Sequence, residues 1–85
     1  MIQNEHTARE TLEALEKAHK LLTGSLGMVK NRCTEEEYKA FRSGMAQVMG
    51  QLFFLVMEPI YREHPSLAPP ETPQEFLDQW KMGPK

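Results

Sequence analysis

Residues 34–63 read TEEEYKAFRSGMAQVMGQLFFLVMEPIYRE, with apolar residues at helical spacing. The opening TEEE fits a capping box, in which Thr34 caps the helix and Glu37 bonds back to the Thr34 amide. The spacing predicts a helix over about residues 35–63. Pro59 is expected to kink this helix, because proline cannot donate a backbone hydrogen bond. The predicted apolar seam, at alternating steps of three and four residues, is Tyr38, Phe41, Met45, Val48, Leu52, Leu55 and Pro59.

The second half of this predicted helix is apolar on more sides than one seam requires. A second stripe contains Ala46, Met49, Phe53, Val56 and Ile60, and a third contains Gly50, Phe54, Met57 and Tyr61. A helix that is apolar around most of its circumference is buried on most sides. One neighbouring helix covers only one side, so the sequence predicts that a second chain covers the rest.

Residues 5–31 are predicted to form an earlier helix, with Asn4 as its N-cap. The connection to the next helix is only a few residues long, which makes the two helices antiparallel neighbours. Gly24 and Gly27 each cost about 1 kcal/mol relative to alanine inside a helix. A break or bend of the helix at these glycines is one interpretation, but the heptad seam continues through both, so we expect another helix to approach closely at their level. The heptad seam of this first helix is Ala8, Leu12, Leu15, His19, Leu22, Leu26, Val29 and Cys33.

The remaining part of the chain is rich in proline. Residues 64–72 are expected to be extended, because proline disfavours helical geometry in the residue before it. Thr72 as N-cap and Pro73 at the first helical position predict a short helix over about residues 73–82. The Gly-Pro pair at 83–84 is expected to end this helix. Its apolar face contains Phe76, Leu77 and Trp80.

Composition narrows the class of protein. The chain has 85 residues, a net charge of −2 and one cysteine. The length fits a single domain over residues 1–85, and small domains usually need a disulfide, a metal or a partner chain. One cysteine cannot form an intrachain disulfide, which favours a reducing compartment, and we expect a cytoplasmic protein without a signal peptide. Neither half is basic enough to indicate nucleic-acid binding, and the longest uncharged run, 43–57, is too short to cross a membrane.

No residue pattern indicates catalysis, a metal or a cofactor. His6, His19 and His64 do not recur at the spacing that places two metal ligands on one helix face. His19 is expected to be a partly buried, hydrogen-bonded residue of the first seam. Cys33 is expected to pack in the core rather than react, because the acidic residues 35–37 oppose a thiolate. The sequence therefore favours a non-enzymatic protein.

Taken together, these patterns predict an all-α fold, a long antiparallel helical hairpin with a short C-terminal helix. Two hairpins are expected to dimerise into a four-helix bundle. The predicted function is that of a protein-interaction module acting as a homodimer, with the helix of a partner protein as a further binding candidate. The alternative is a binder of a small apolar ligand in a Met/Phe-lined pocket within the helical bundle, near His19 and the kink at Pro59. The candidate interface or pocket residues are Met45, Met49, Phe53, Phe54, Met57, Tyr61 and Trp80.

Overall fold

The computed structural model describes residues 1–81 and is helical along most of that length, without a strand among them. The predicted all-α class is confirmed, while the Gly-Pro at 83–84 lies outside the described residues. Helix α1 is Glu5–Arg32, helix α2 is continuous over residues 35–63, and helix α3 is Gln74–Lys81. A short 3-10 helix at Pro65–Leu67 lies between α2 and α3.

Side-chain caps fix where the two long helices begin. The Thr7 amide donates to the Asn4 side chain over 2.8 Å at the start of α1. At the start of α2 the predicted capping box is present: the Thr34 amide donates to Glu37 over 2.8 Å, and the Glu37 amide donates to the Thr34 hydroxyl over 3.1 Å. The hydrogen bond from the Thr34 amide lowers the pKa of the Glu37 carboxyl. These caps satisfy amides that the helix itself leaves without acceptors.

Helix α2 changes its hydrogen-bonding register before Pro59. It is α-helical over Glu35–Gln51, π-helical over Leu52–Met57 and α-helical again over Glu58–Glu63. At the end of the π-helical part, the Glu58 amide donates to the carbonyl oxygen of Phe53, five residues earlier. Proline in an α-helix clashes with the carbonyl four residues before it, and the wider turn is a physical means of accommodating Pro59. The sequence predicted a disturbance at this proline but not its π-helical form.

The hydrophobic core lies at one end of the molecule, where the start of α1 meets the end of α2 and α3. Its buried members are Ala8, Leu12, Met57, Ile60, Tyr61 and Trp80. The chain start is held at the same end, because the Met1 ammonium and the Ile2 amide both donate to the Glu63 carboxylate. The Met1 ammonium lowers the pKa of Glu63. His64 Nε2 also donates to the Ile2 carbonyl oxygen over 2.7 Å.

The predicted core position of Cys33 is wrong, and part of the predicted α2 seam is uncovered within the single chain. Val48 and Leu55 of the predicted α2 seam are 53% and 64% exposed, although Tyr38 and Met45 earlier in that seam are partly buried. A helix with 3.6 residues per turn drifts from a heptad seam, and the π-helical part rotates it further. Cys33, predicted to pack in the core, is exposed because α1 ends at Arg32 and residue 33 is already extended backbone.

The molecule is elongated for its length. Its extents are 45 × 24 × 21 Å and its radius of gyration is 15.3 Å. A compact chain of this length has a radius of gyration of about 12 Å. No helix among residues 1–81 combines the length and the apolar character needed to span a bilayer.

Candidate functional sites

A groove opens beside the core and is enclosed by four parts of the chain. It has a volume of about 730 Å³. Helix α1 contributes Glu16, His19 and Lys20, α2 contributes Phe53, Met57 and Tyr61, and α3 contributes Phe76 and Trp80. The remaining wall is residues 67–73, which carry three prolines. Ligand sites usually have volumes of roughly 300–1,000 Å³ and mostly apolar walls, so the groove has the dimensions of such a site.

The base of the groove is a row of packed aromatic rings. Tyr61 stacks on Trp80 with ring centroids 5.1 Å apart and planes inclined by 20°. Phe76 lies 6.0 Å from Trp80, and Phe53 lies 6.5 Å from Tyr61. Phe53 and Met57 belong to the π-helical part of α2, so the altered register of that helix helps to set the shape of this wall. Such π-helical turns occur frequently at functional sites.

Polar groups of the groove are few and are concentrated near Tyr61. The Tyr61 hydroxyl donates to Glu16 over 3.4 Å, a long hydrogen bond between α2 and α1. Burial, followed by the charges of Glu16 and Glu71, raises the pKa of Tyr61 to about 12. The phenol therefore stays protonated at neutral pH. The buried Nε1 of Trp80 has no acceptor within the described part of the chain, which is unusual for a buried indole.

A second candidate site is the set of exposed apolar side chains along the middle of the molecule. Within the described residues, none from 13 to 56 is fully buried. The same stretch carries large apolar side chains that are more than half exposed: Leu21, Met28, Val48, Phe54 and Leu55. On α2, Phe54 and Leu55 border a shallow depression together with Ala46 and Gly50. We call this feature the α2 depression.

The helical glycines face open space. A Cβ atom placed on Gly24, Gly27, Gly44 or Gly50 would meet nothing within 4 Å apart from its own helix and chain neighbours. The predicted close approach of another helix at Gly24 and Gly27 is therefore absent within the single chain. Close packing at any of these glycines needs a second molecule.

The seven candidate residues fall into two groups in the structure. Phe53, Met57, Tyr61 and Trp80 line the groove. Phe54 is 60% exposed at the α2 depression, and Met45 and Met49 are partly buried on α2. His19, which marked the predicted pocket, does line the groove, whereas Pro59 is not one of its lining residues.

Sequence reasoning missed the contribution of residues 68–73 and of the carboxylates of Glu16 and Glu71 to the groove. The sequence predicted an extended segment at 64–72, but the structure has a 3-10 helix at Pro65–Leu67 and a turn at residues 70–71, and the return path of this segment across the groove is a tertiary feature. The sequence placed Phe76 on the apolar face of the C-terminal helix, and its packing with Trp80 places it in the groove wall.

The histidines are dispersed. His6 pairs with Glu10 on α1, His19 lies at the groove and His64 bonds to Ile2. Across residues 1–81, His, Cys, Asp and Glu side chains form no group of three or more that could hold a metal ion.

Comparison of the chain with protein-family models, curated proteins and solved structures gave no match.

Proposed function

We propose that this protein is a non-enzymatic interaction module that acts as a homodimer. In this proposal α1 and α2 form a hairpin, and two hairpins pack α2 against α2 as a four-helix bundle. One observation carries the proposal: in the described chain, residues 13–56 include five large apolar side chains that are exposed and no residue that is fully buried. Exposed apolar surface on this scale marks interaction sites in soluble proteins.

The surface area of the chain supports this proposal. Its accessible surface is 6288 Å², whereas a folded monomer of 9.8 kDa exposes about 5,200 Å². The excess of about 1,100 Å² is slightly more than the roughly 800 Å² that each partner buries in an interface of standard size. A second copy is the most economical partner, because most soluble oligomers are homo-oligomers and two-fold dimers are the commonest.

The α2 depression is the proposed centre of contact. Phe54 and Leu55 stand beside Gly50, where the missing side chain leaves room for another helix. Close approach at small residues brings two helix backbones together and allows apolar neighbours to interdigitate. A two-fold axis at this point would place the Phe54 ring of each chain against the partner.

Substitution of Phe54 by lysine tests the proposed interface. Phe54→Lys should preserve the single-chain fold, because this ring is 60% exposed, but it should convert the dimer to a monomer by placing a charge in an apolar contact. Gln79→Lys adds the same charge at an exposed position on α3 and serves as the matched control. Light scattering gives the mass, and circular dichroism reports the helical content. A folded Phe54→Lys variant with the wild-type dimer mass would remove α2 as the interface.

Phe53→Lys is expected to behave differently. Phe53 is partly buried, packs edge-on against Phe54 at 5.2 Å and lies in the groove wall near Tyr61. A lysine there brings a charge to the core, and the expected result is unfolding rather than clean dissociation. The pair of variants thus separates a contact between chains from a contact within one chain.

The groove supports a second candidate function, the binding of a small apolar ligand. Its aromatic base, its volume and its partial enclosure by residues 67–73 are features of ligand sites. Native mass spectrometry of gently purified protein tests this function. Extra mass that is lost on unfolding supports it, and failure of the folded protein to bind any apolar probe contradicts it.

A further inference from the structure

The apolar part of the groove fits the body of a small organic molecule. Phe53 and Phe76 are the partly exposed aromatic residues of its lining, and both pack on the buried Tyr61–Trp80 pair: Phe53 lies 6.5 Å from Tyr61, and Phe76 lies 6.0 Å from Trp80. Met57 adds a flexible, polarizable side chain to the same wall. Aromatic faces attract aliphatic and aromatic groups, and they also attract cations because their π-systems are electron-rich.

The charged part of the groove favours a positive ligand. Two carboxylates, Glu16 and Glu71, line it together with one ammonium group, Lys20. Among the side chains that the structure describes, those of residues 1–80, neither carboxylate has an ion-pair partner, and the hydrogen bond that Glu16 accepts from Tyr61 is long at 3.4 Å. An unpaired carboxylate beside an aromatic surface is a suitable partner for an ammonium group.

The buried indole nitrogen of Trp80 is closed off from the groove space. It is a hydrogen-bond donor without an acceptor in the described chain, and Trp80 is only 2% exposed. A ligand in the groove therefore does not reach this nitrogen, and the charge preference of the groove depends on the two carboxylates.

We propose that the groove binds a small organic cation, an ammonium group attached to an aromatic or aliphatic body, with the body against Phe53 and Phe76 and the charge near Glu16 and Glu71. This rests on the second candidate function, that the groove holds a small ligand, and adds its chemical class. The site is separate from the α2 depression, since the two share no lining residue.

Three probes with the same body and different charge test the proposal: phenylbutylamine, phenylbutanol and phenylbutyrate. Trp80 is the only tryptophan in the chain, so its fluorescence reports binding in the groove directly, and calorimetry gives an independent affinity. The amine should bind about tenfold more tightly than the neutral alcohol, and the carboxylate should bind more weakly than both.

Single substitutions locate the charge preference. Glu71→Gln and Glu16→Gln should each remove most of the amine's advantage over the alcohol, whereas Glu13→Gln, an exposed carboxylate of α1 outside the groove lining, should leave it unchanged. Lys20→Gln should have the opposite effect and increase the affinity for the amine. Glu71 lies outside the helices, so its variant is the safest for folding.

Three other results would overturn the cation proposal. Equal affinities for the three probes would overturn the cation proposal and leave the apolar-ligand function standing. Tighter binding of phenylbutyrate would also overturn it and assign the charge preference to Lys20. Failure of all three probes to bind the folded protein would contradict both the cation proposal and the apolar-ligand function.

Discussion

Replacement of Gly50 by alanine should stabilise an isolated chain but weaken the proposed dimer, so its effect distinguishes the two. In the single chain, a Cβ atom at Gly50 meets nothing within 4 Å, so the new methyl group has no steric cost. Alanine in the interior of a helix is more stable than glycine by about 1 kcal/mol. For a domain of this size, such a gain raises the melting temperature by about 4–8 °C. In the proposed dimer, however, Gly50 lies where the two α2 helices cross.

At a close helix crossing, an inserted methyl group overpacks the contact and costs about 1–3 kcal/mol. The dissociation constant of the dimer should therefore increase by a factor between about 5 and 150. Gly24→Ala is the matched control, because Gly24 is also helical and open but belongs to α1, which the proposed α2 contact does not use. Gly24→Ala should raise the melting temperature and leave dimerisation unchanged.

Sedimentation equilibrium gives the dissociation constants of the two variants, and thermal unfolding at several protein concentrations gives their stabilities. The proposed contact requires weaker dimerisation for Gly50→Ala alone. If Gly50→Ala raises the melting temperature as much as Gly24→Ala and dimerises like the wild type, then Gly50 does not lie in a close crossing.

Three further predictions concern the end of the molecule that holds the hydrophobic core. Leu12→Ala should lower the free energy of unfolding by about 2–5 kcal/mol, because Leu12 is 3% exposed. Leu21→Ala is the control, since Leu21 is 77% exposed, and in a monomeric background it should change the stability of the chain by less than about 0.5 kcal/mol; chemical denaturation measures both variants. The pKa of Tyr61 is raised from 10 to about 12, so its contribution to stability is present below pH 10 and is lost as the pH rises toward 12. Ultraviolet titration of the phenol and unfolding curves at each pH measure this loss. Ionisation of Tyr61 near pH 10 in the folded protein would contradict the prediction. The pKa of Glu63 is lowered below 4.5 by the Met1 ammonium, so the contribution of Glu63 to stability is present above pH 4.5 and is lost as the pH falls. Glu63→Gln should therefore lower the melting temperature at pH 7 and have little effect at pH 3. An equal effect at both pH values would rule out the ionic contact.

Local signals were the most predictable part of this fold. The capping box at Thr34 depends on four consecutive residues, and the structure contains both of its hydrogen bonds. The N-cap at Asn4 is equally local. A cap is determined by the chain within one turn, so tertiary packing has little opportunity to change it.

Features that depend on register over a longer distance were less predictable. The heptad pattern placed Val48 and Leu55 in one seam with Tyr38 and Met45, but within the single chain Val48 and Leu55 are exposed, since a helix with 3.6 residues per turn drifts from a heptad seam. The same pattern extended the α1 seam to Cys33, one residue beyond the end of that helix. Hydrophobic spacing predicts that a helix exists more reliably than it predicts the orientation of each residue.

The groove was predictable in part. Its position near His19 and its Phe and Met residues agree with the predicted pocket, because a helix that is apolar on several sides leaves spare residues for a cavity wall. Its charged rim was not predicted, since Glu16 and Glu71 are 55 positions apart in the chain and meet only after the proline-rich segment folds back.

The mass of the wild-type protein in solution tests the central proposal most directly. Native mass spectrometry and light scattering over a wide range of protein concentration measure it without any substitution. A homodimer predicts the mass of two 9.8 kDa chains, with dissociation only on dilution. A well-folded particle with the mass of one chain at every concentration would contradict the dimer and leave the exposed apolar residues of the α2 depression to a different partner.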